Sequence, residues 1–135
     1  MIYLDSWVWL EYGLRGDQWE TAREVIDDAV ADGGAVSTIA LTEIDYVLSR
    51  DVDRTTADLV TSAIEDFEEI NVVPVSSEVA LYASRLRRKY YDRQDNALSY
   101  ADAIHVATAD LVGCETLHTG DSDFEDIEEI EAIIY

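Results

Sequence analysis

The chain has 135 residues, 30 acidic and nine basic side chains, and a formal net charge of −21. Its length fits one domain spanning 1–135, and a hydrophobic content of 48% excludes a disordered acidic tail. The charge argues against a generic basic nucleic-acid binder and against adhesion to anionic membranes. The single cysteine, Cys114, excludes a disulfide framework and a multi-cysteine zinc site.

Ile2-Tyr3-Leu4 reads as a short buried strand ending at Asp5. Trp19, Ala22, Ile26, Ala29 and Val30 recur at helical spacing, and Gly33-Gly34 stops that helix. Ala35 to Ile39 is a second strand, and Leu41 to Leu48 is helical. Val60, Ala63, Ile64 and Phe67 define an amphipathic helix, and Asn71 to Val75 a third strand holding the only proline, Pro74. Val79, Tyr82, Ala83, Leu86 and Tyr90 predict another helix. Tyr100, Ala103, Ile104, Ala107 and Leu111 predict one more, ended by Gly113. Glu115 to Thr119 is a fourth strand and Ala132 to Tyr135 a fifth. Between them, Asp121 to Glu131 carries seven acids in eleven residues. Phe124, Ile127 and Ile130 punctuate that run, so it reads as a short amphipathic turn rather than a free tail.

Strands alternating with helices predict an α/β fold, a three-layer α/β/α arrangement around a parallel sheet of four to five strands. In such a sheet ligands bind beyond the carboxyl ends of the strands. Asp5 follows the first strand, Ser37 and Thr38 end the second, and Glu43 lies one turn into the helix beyond. Asp121 and Asp123 follow the fourth strand, and Asp102 lies in the first turn of the helix starting near Ser99. Carboxylates gathered at one edge without His or Cys partners suit a hard cation, Mg²⁺ or Mn²⁺. Such sites catalyse metal-assisted hydrolysis of phosphodiesters. The plainer reading is helix capping, for which Ser99-x-x-Asp102 has the capping-box pattern.

The flanking residues add a resemblance. Tyr3-Leu4-Asp5-Ser6-Trp7-Val8-Trp9-Leu10 resembles the opening motif of PIN-domain ribonucleases, and Thr38-x-x-Leu41-Thr42-Glu43-Ile44 resembles the second. Leu98-Ser99-Tyr100-Ala101-Asp102-Ala103-Ile104-His105-Val106-Ala107-Thr108-Ala109 resembles the third, and Leu117-His118-Thr119-Gly120-Asp121-Ser122-Asp123-Phe124 the fourth. The order of the motifs and the chain length resemble the small VapC-type toxins. The resemblance implies strand order 3-2-1-4-5 and a Mg²⁺- or Mn²⁺-dependent endoribonuclease, commonly a homodimer and held inactive by a cognate antitoxin. It implies Asp5, Glu43, Asp102 and Asp121 as the catalytic acids, with Asp123 as a frequent addition. Asp5, Asp102 and Asp121 are expected to bind metal directly, and Ser6 and Thr119 match hydroxyl positions beside the site. An RNA-processing nuclease without an antitoxin is the alternative within the family.

Trp7 and Trp9 depart from the small or aliphatic residues usual there, and with Trp19 they read as core or interface packing, base stacking being the alternative. Arg85, Arg87, Arg88, Lys89 and Arg93 place five of the nine basic residues within nine positions. Arg85, Arg88 and Lys89 are expected to point outward as a phosphate clamp for RNA, the alternative being a solvated helix face that pairs with some of the many acids. His105 and His118 read as structural. Eight of the basic residues are Arg, and the acids are spread along the whole chain, as in a salt-in halophile. Multimolar salt shortens the Debye length to about 3 Å or less and cancels such self-repulsion. A nucleic-acid mimic, a non-catalytic module, would concentrate its acids on one surface. A haloacid-dehalogenase-like phosphatase needs a second Asp two residues after Asp5, where Trp7 stands. The start lacks a basic n-region and no apolar stretch approaches a membrane span, so a cytoplasmic protein is expected.

Overall fold

A computed structural model describes residues 1–92 and 96–135. The elements run β1 (Ile2–Leu4), α1 (Ser6–Gly13), α2 (Trp19–Asp32), β2 (Gly34–Ser37), α3 (Thr38–Asp51), α4 (Arg54–Asp66), β3 (Ile70–Val73), α5 (Ser77–Tyr90), α6 (Tyr100–Leu111), β4 (Thr116–Thr119) and β5 (Glu131–Ile134), with a 3-10 turn at Ser122–Phe124. The five strands form one sheet in the order β3-β2-β1-β4-β5, and every pairing is parallel.

Successive strand residues face opposite layers, which is how strands of three or four residues anchor two helical layers. Tyr3, Ala35 and Leu117 pack with Leu86, Ala103, Val106 and Phe124 on the α5–α6 side. Leu4 and Val36 pack with Val8, Ala22, Ile44 and Leu48 on the α1–α4 side. Most apolar helix positions predicted from spacing, such as Ala22, Ile26, Ala29, Ile64, Ala83, Leu86, Ala103 and Ala107, are buried in these two cores, whereas Ala63, Tyr100 and Leu111 are exposed. Gly34 is required by proximity: a Cβ there would lie 2.8 Å from Ala29 Cβ and 3.0 Å from Leu4 Cδ1. Gly33, with φ of 92°, supplies the left-handed turn out of α2.

Three details differ from the periodicity reading. Ser6–Gly13 is a helix of its own, packed on α2 and α3, in a stretch too short and too uniformly apolar to show a helical stripe. The second strand ends at Ser37, not Ile39, because the Ser37 hydroxyl accepts from Ile39 N and caps α3. The third strand stops at Val73, before Pro74, which has no N–H to give a ladder. Arg93 of the basic cluster lies outside the described residues. Among the described residues, no helix is long and apolar enough to cross a membrane.

Candidate metal centre

All strands run the same way, so their carboxyl ends share one edge, and the chain places its acids there from four segments. Asp5 leaves β1 as the N-cap of α1. Glu43 projects from α3, Asp102 from the first turn of α6, and Asp121 and Asp123 follow β4. Ligand oxygens of Asp102, Asp121 and Asp123 all lie within 4.8 Å of one another. Around an octahedral Mg²⁺ with oxygens at about 2.1 Å, ligand atoms stand roughly 3 to 4 Å apart. The half-buried, oxygen-only set fits such a cation with small side-chain adjustment.

Capping and site formation turn out to be compatible. Asp102 Oδ2 accepts from Ser99 N at 3.0 Å, and Ser99 Oγ accepts from Asp102 N at 3.0 Å, so the expected capping box is formed. That leaves Oδ1 of Asp102 without a hydrogen bond among the described residues. Asp121 Oδ1 accepts from Asp123 N at 2.9 Å and likewise keeps its second oxygen. The backbone thus fixes each carboxylate through one oxygen while the other stays available.

Asp5 is 5% exposed, and each of its oxygens accepts a hydrogen bond while keeping a further lone pair. Its Oδ1 accepts from Ser6 N at 2.8 Å, and its Oδ2 accepts from Thr119 Oγ1 at 2.7 Å. Thr119 Oγ1 also accepts from Asp121 N at 3.0 Å. Ser6 and Thr119, matched as hydroxyls beside the site, therefore hold Asp5 and tie it to the Asp121 loop. Burial raises the Asp102 pKa, Ser99 works against that rise, and the Asp121 and Asp5 charges add to it. The crowding of like charges is what a bound cation would relieve.

His105 joins this set, although spacing gave it only a structural role. It is fully buried, with Nε2 2.7 Å from Glu43 Oε1 and 3.3 Å from Asp5 Oδ1. Its Nδ1 lies 2.6 Å from Tyr3 Oη, which accepts from Ser37 N at 3.1 Å. The Tyr3 pKa is raised well above its ordinary value, first by burial and then by Asp5, so the phenol keeps its proton. With one lone pair occupied by Ser37, that proton goes to Nδ1 of a neutral imidazole, which then carries its hydrogen on Nε2. In either charge state Nε2–H points at Glu43. Burial opposes charge on His105, yet Asp5 and then Glu43 prevail and raise its pKa above 6.5. No sequence signal marked this role beyond position three residues after Asp102. His118 is structural, its nitrogens 2.8 Å from Tyr135 Oη and 3.1 Å from Thr116 Oγ1.

The tryptophans divide. Trp9 is 3% exposed and packs with Phe67, while Trp19 lies against Arg15. Trp7 stacks on Tyr135 with centroids 5.8 Å apart, and its indole lies over Gly120, where a Cβ would fall 2.3 Å from the ring. Gly120→Ala should displace either the indole or the Asp121 loop, costing about 1–3 kcal/mol as overpacking does. Thermal melts would read the stability loss and Mn²⁺ titration a weaker affinity. An unchanged pair of values would mean the loop yields freely.

The basic cluster is not one surface. Lys89 Nζ lies 2.8 Å from Glu129 Oε1 and 3.2 Å from Glu128 Oε2, which occupy its charge. Arg85 and Arg88 are exposed on α5, and Arg87 is stacked between Tyr91 and Tyr100.

Several solved structures share this architecture. VapC20 of Mycobacterium tuberculosis, described as a sarcin–ricin loop cleaving toxin, matches with TM-score 0.80 and 20% identity over 96% of this chain and 98% of that one. VapBC2 of Rickettsia felis, solved on a DNA fragment from its promoter, matches with TM-score 0.73 and 18% identity over 99% and 98%. A toxin–antitoxin complex from Klebsiella pneumoniae matches with TM-score 0.71 and 22% identity over 96% and 95%. No curated protein matches the chain. At these identities the likeness speaks for the fold, and the PIN-domain family model matches residues 2–130. With its five-stranded parallel sheet and acidic edge, the chain belongs to the PIN-domain family.

Proposed function

We propose that the chain is a Mg²⁺- or Mn²⁺-dependent endoribonuclease, the toxin partner of a toxin–antitoxin pair. The observation that carries this reading is the convergence of Asp102, Asp121 and Asp123 within 4.8 Å at the sheet's carboxyl edge, with Asp5 linked to the Asp121 amide through Thr119. Asp5, Asp102 and Asp121 would hold the cation, with Asp123 alongside. The bound cation would supply positive charge to the attacked phosphodiester and acidify a water near neutral pH. Glu43, tethered to His105, would orient that water and take its proton. Ser6 and Thr119 would keep Asp5 in place, and Arg85 and Arg88 would meet RNA phosphates. Lys89 could join them only by leaving Glu128 and Glu129.

The antitoxin half of the reading draws on the complexes from R. felis and K. pneumoniae. An apolar cleft of about 340 Å³ between α1, α2 and α4, lined by Trp9, Ile26, Leu59 and Phe67 among others, offers such a partner a place to bury side chains. A homodimer, a cytoplasmic setting and a high-salt habitat belong to the same proposal.

The test is labelled RNA incubated with the protein in molar KCl, with Mn²⁺ or with EDTA. Internal cleavage with Mn²⁺ alone is expected. Cleavage in EDTA, or none in either, would sink the reading.

A further inference from the structure

Thirty acids surround nine cations, so an arginine without an acidic partner needs explaining. Among the described residues Arg23, Arg50, Arg54 and Lys89 form ion pairs, whereas Arg15, which lies over Trp19, and Arg85, Arg87 and Arg88 form none. Arg87 is also the most constrained. Its guanidinium lies 4.1 Å from the ring centroids of both Tyr91 and Tyr100. Its Nε is buried with no hydrogen-bond partner among the described residues. A planar cation clamped between two rings has few rotamers left to lose, and only its edge remains for a ligand.

Arg87 lines a cavity of about 330 Å³ together with Ser84, Arg88, Tyr91 and Tyr100. Tyr100 is 69% exposed, so with Arg87 on one face its other face is open to solvent. Tyr100 and Asp102 share the first turn of α6, about 3 Å apart along the helix axis. The cavity therefore lies at the same end of α6 as Asp102.

We propose that this cavity is a subsite for one unpaired nucleotide of single-stranded RNA, with Arg87 and Arg88 on its phosphate and its base stacked on the open face of Tyr100. The donors are arginine edges, which pair with phosphate oxygens in the plane of the guanidinium. The open ring accepts any base face and cannot reach a base held inside a duplex. The choice of RNA as ligand rests on the endoribonuclease reading, and it narrows the substrate to strands with unstacked bases.

Binding is measured apart from cleavage, with the full chain in EDTA. Fluorescence anisotropy of a labelled single-stranded RNA and of its duplex would be followed across a KCl series. The single strand should bind more tightly than the duplex. Arg87→Ala should weaken single-strand binding about tenfold and flatten the slope of log K against log[KCl] by about 0.7, the value of one lost phosphate contact on a single strand. Tyr100→Ala should weaken binding by a similar factor with the slope unchanged, and Tyr100→Phe should bind as the wild type does. Tyr100 is exposed, so its variants report even if Arg87→Ala misfolds.

Wild-type affinity in both alanine variants, or no RNA binding by the wild type, overturns the subsite. So does a dimer that sediments as a monomer once Arg87 or Tyr100 is replaced, which would assign the cavity to contacts between copies. Binding as expected without Mn²⁺-dependent cleavage would overturn the nuclease reading and leave the subsite standing. Cleavage with unaltered binding in the variants would do the reverse.

Discussion

Asp102→Asn should abolish Mn²⁺-dependent RNA cleavage while leaving the metal-free protein as stable as the wild type or more so. Asn keeps an oxygen for the Ser99 amide, so the capping box and the start of α6 survive. What disappears is a carboxylate whose pKa burial raises, with Asp121 and Asp5 pushing the same way against the Ser99 hydrogen bonds. A carboxyl raised in the fold above 3.8 contributes stability at low pH that is lost as pH rises through its folded pKa. At neutral pH the wild type therefore carries a repulsion the variant lacks. The activity loss should exceed the roughly 10–100-fold that removing an outer partner of a metal ligand costs. Melts at matched ionic strength separate the two effects. The wild type should gain about 2.7 kcal/mol at Mn²⁺ a hundredfold above its Kd, and the variant far less. A wild type whose melting temperature ignores Mn²⁺ would remove the shared site from consideration.

Replacing His105 by Leu should cost both stability and activity, and replacing it by Gln should restore much of each. The imidazole joins Tyr3, Glu43 and Asp5 in a fully buried position. Leu fills the space but strands the buried Tyr3 hydroxyl proton, at about 1–3 kcal/mol, and releases the partly exposed Glu43 from its orientation. Gln can present an amide N–H toward Glu43 and so keep its orientation. The pH profile carries an independent signature. Because Asp5 and Glu43 raise His105 above 6.5 despite burial, its contribution to metal-free stability is fully present below 6.5 and is lost as pH rises through the folded pKa. Wild-type melts in EDTA should show that decline above pH 6.5, and His105→Gln should not. A decline that persists in the Gln variant would assign the titration to another group.

Much of this was readable in the chain. Alternation of short apolar runs with amphipathic stretches is a local property, so the layers, the parallel sheet and nearly every helix follow from it. The acids at strand ends were legible for the same reason: Asp5, Asp121 and Asp123 stand where β1 and β4 end, and Ser99-x-x-Asp102 announces a helix start. The α1 helix was not legible, since eight mostly apolar residues carry no stripe. Nor was the division of labour within the basic run. Spacing puts Arg87 and Lys89 two positions apart. Only the packing of α5 against the acids at 128 and 129, and against Tyr91 and Tyr100, decides that one is neutralised and the other clamped.

The sequence alone determined which chemistry is possible: oxygen ligands, a hard cation, and an edge of a parallel sheet to hold them. Tertiary structure decided which atoms meet. His105 and Glu43 are 62 positions apart, and Thr119 and Asp5 are 114 apart, yet each pair is joined by one hydrogen bond. No local pattern encodes such contacts, because they depend on β4 lying beside β1 and α6 packing across the sheet. The −21 charge divides along the same line. Its total is set by composition, whereas the few carboxylates that crowd together do so because five strands end at one edge.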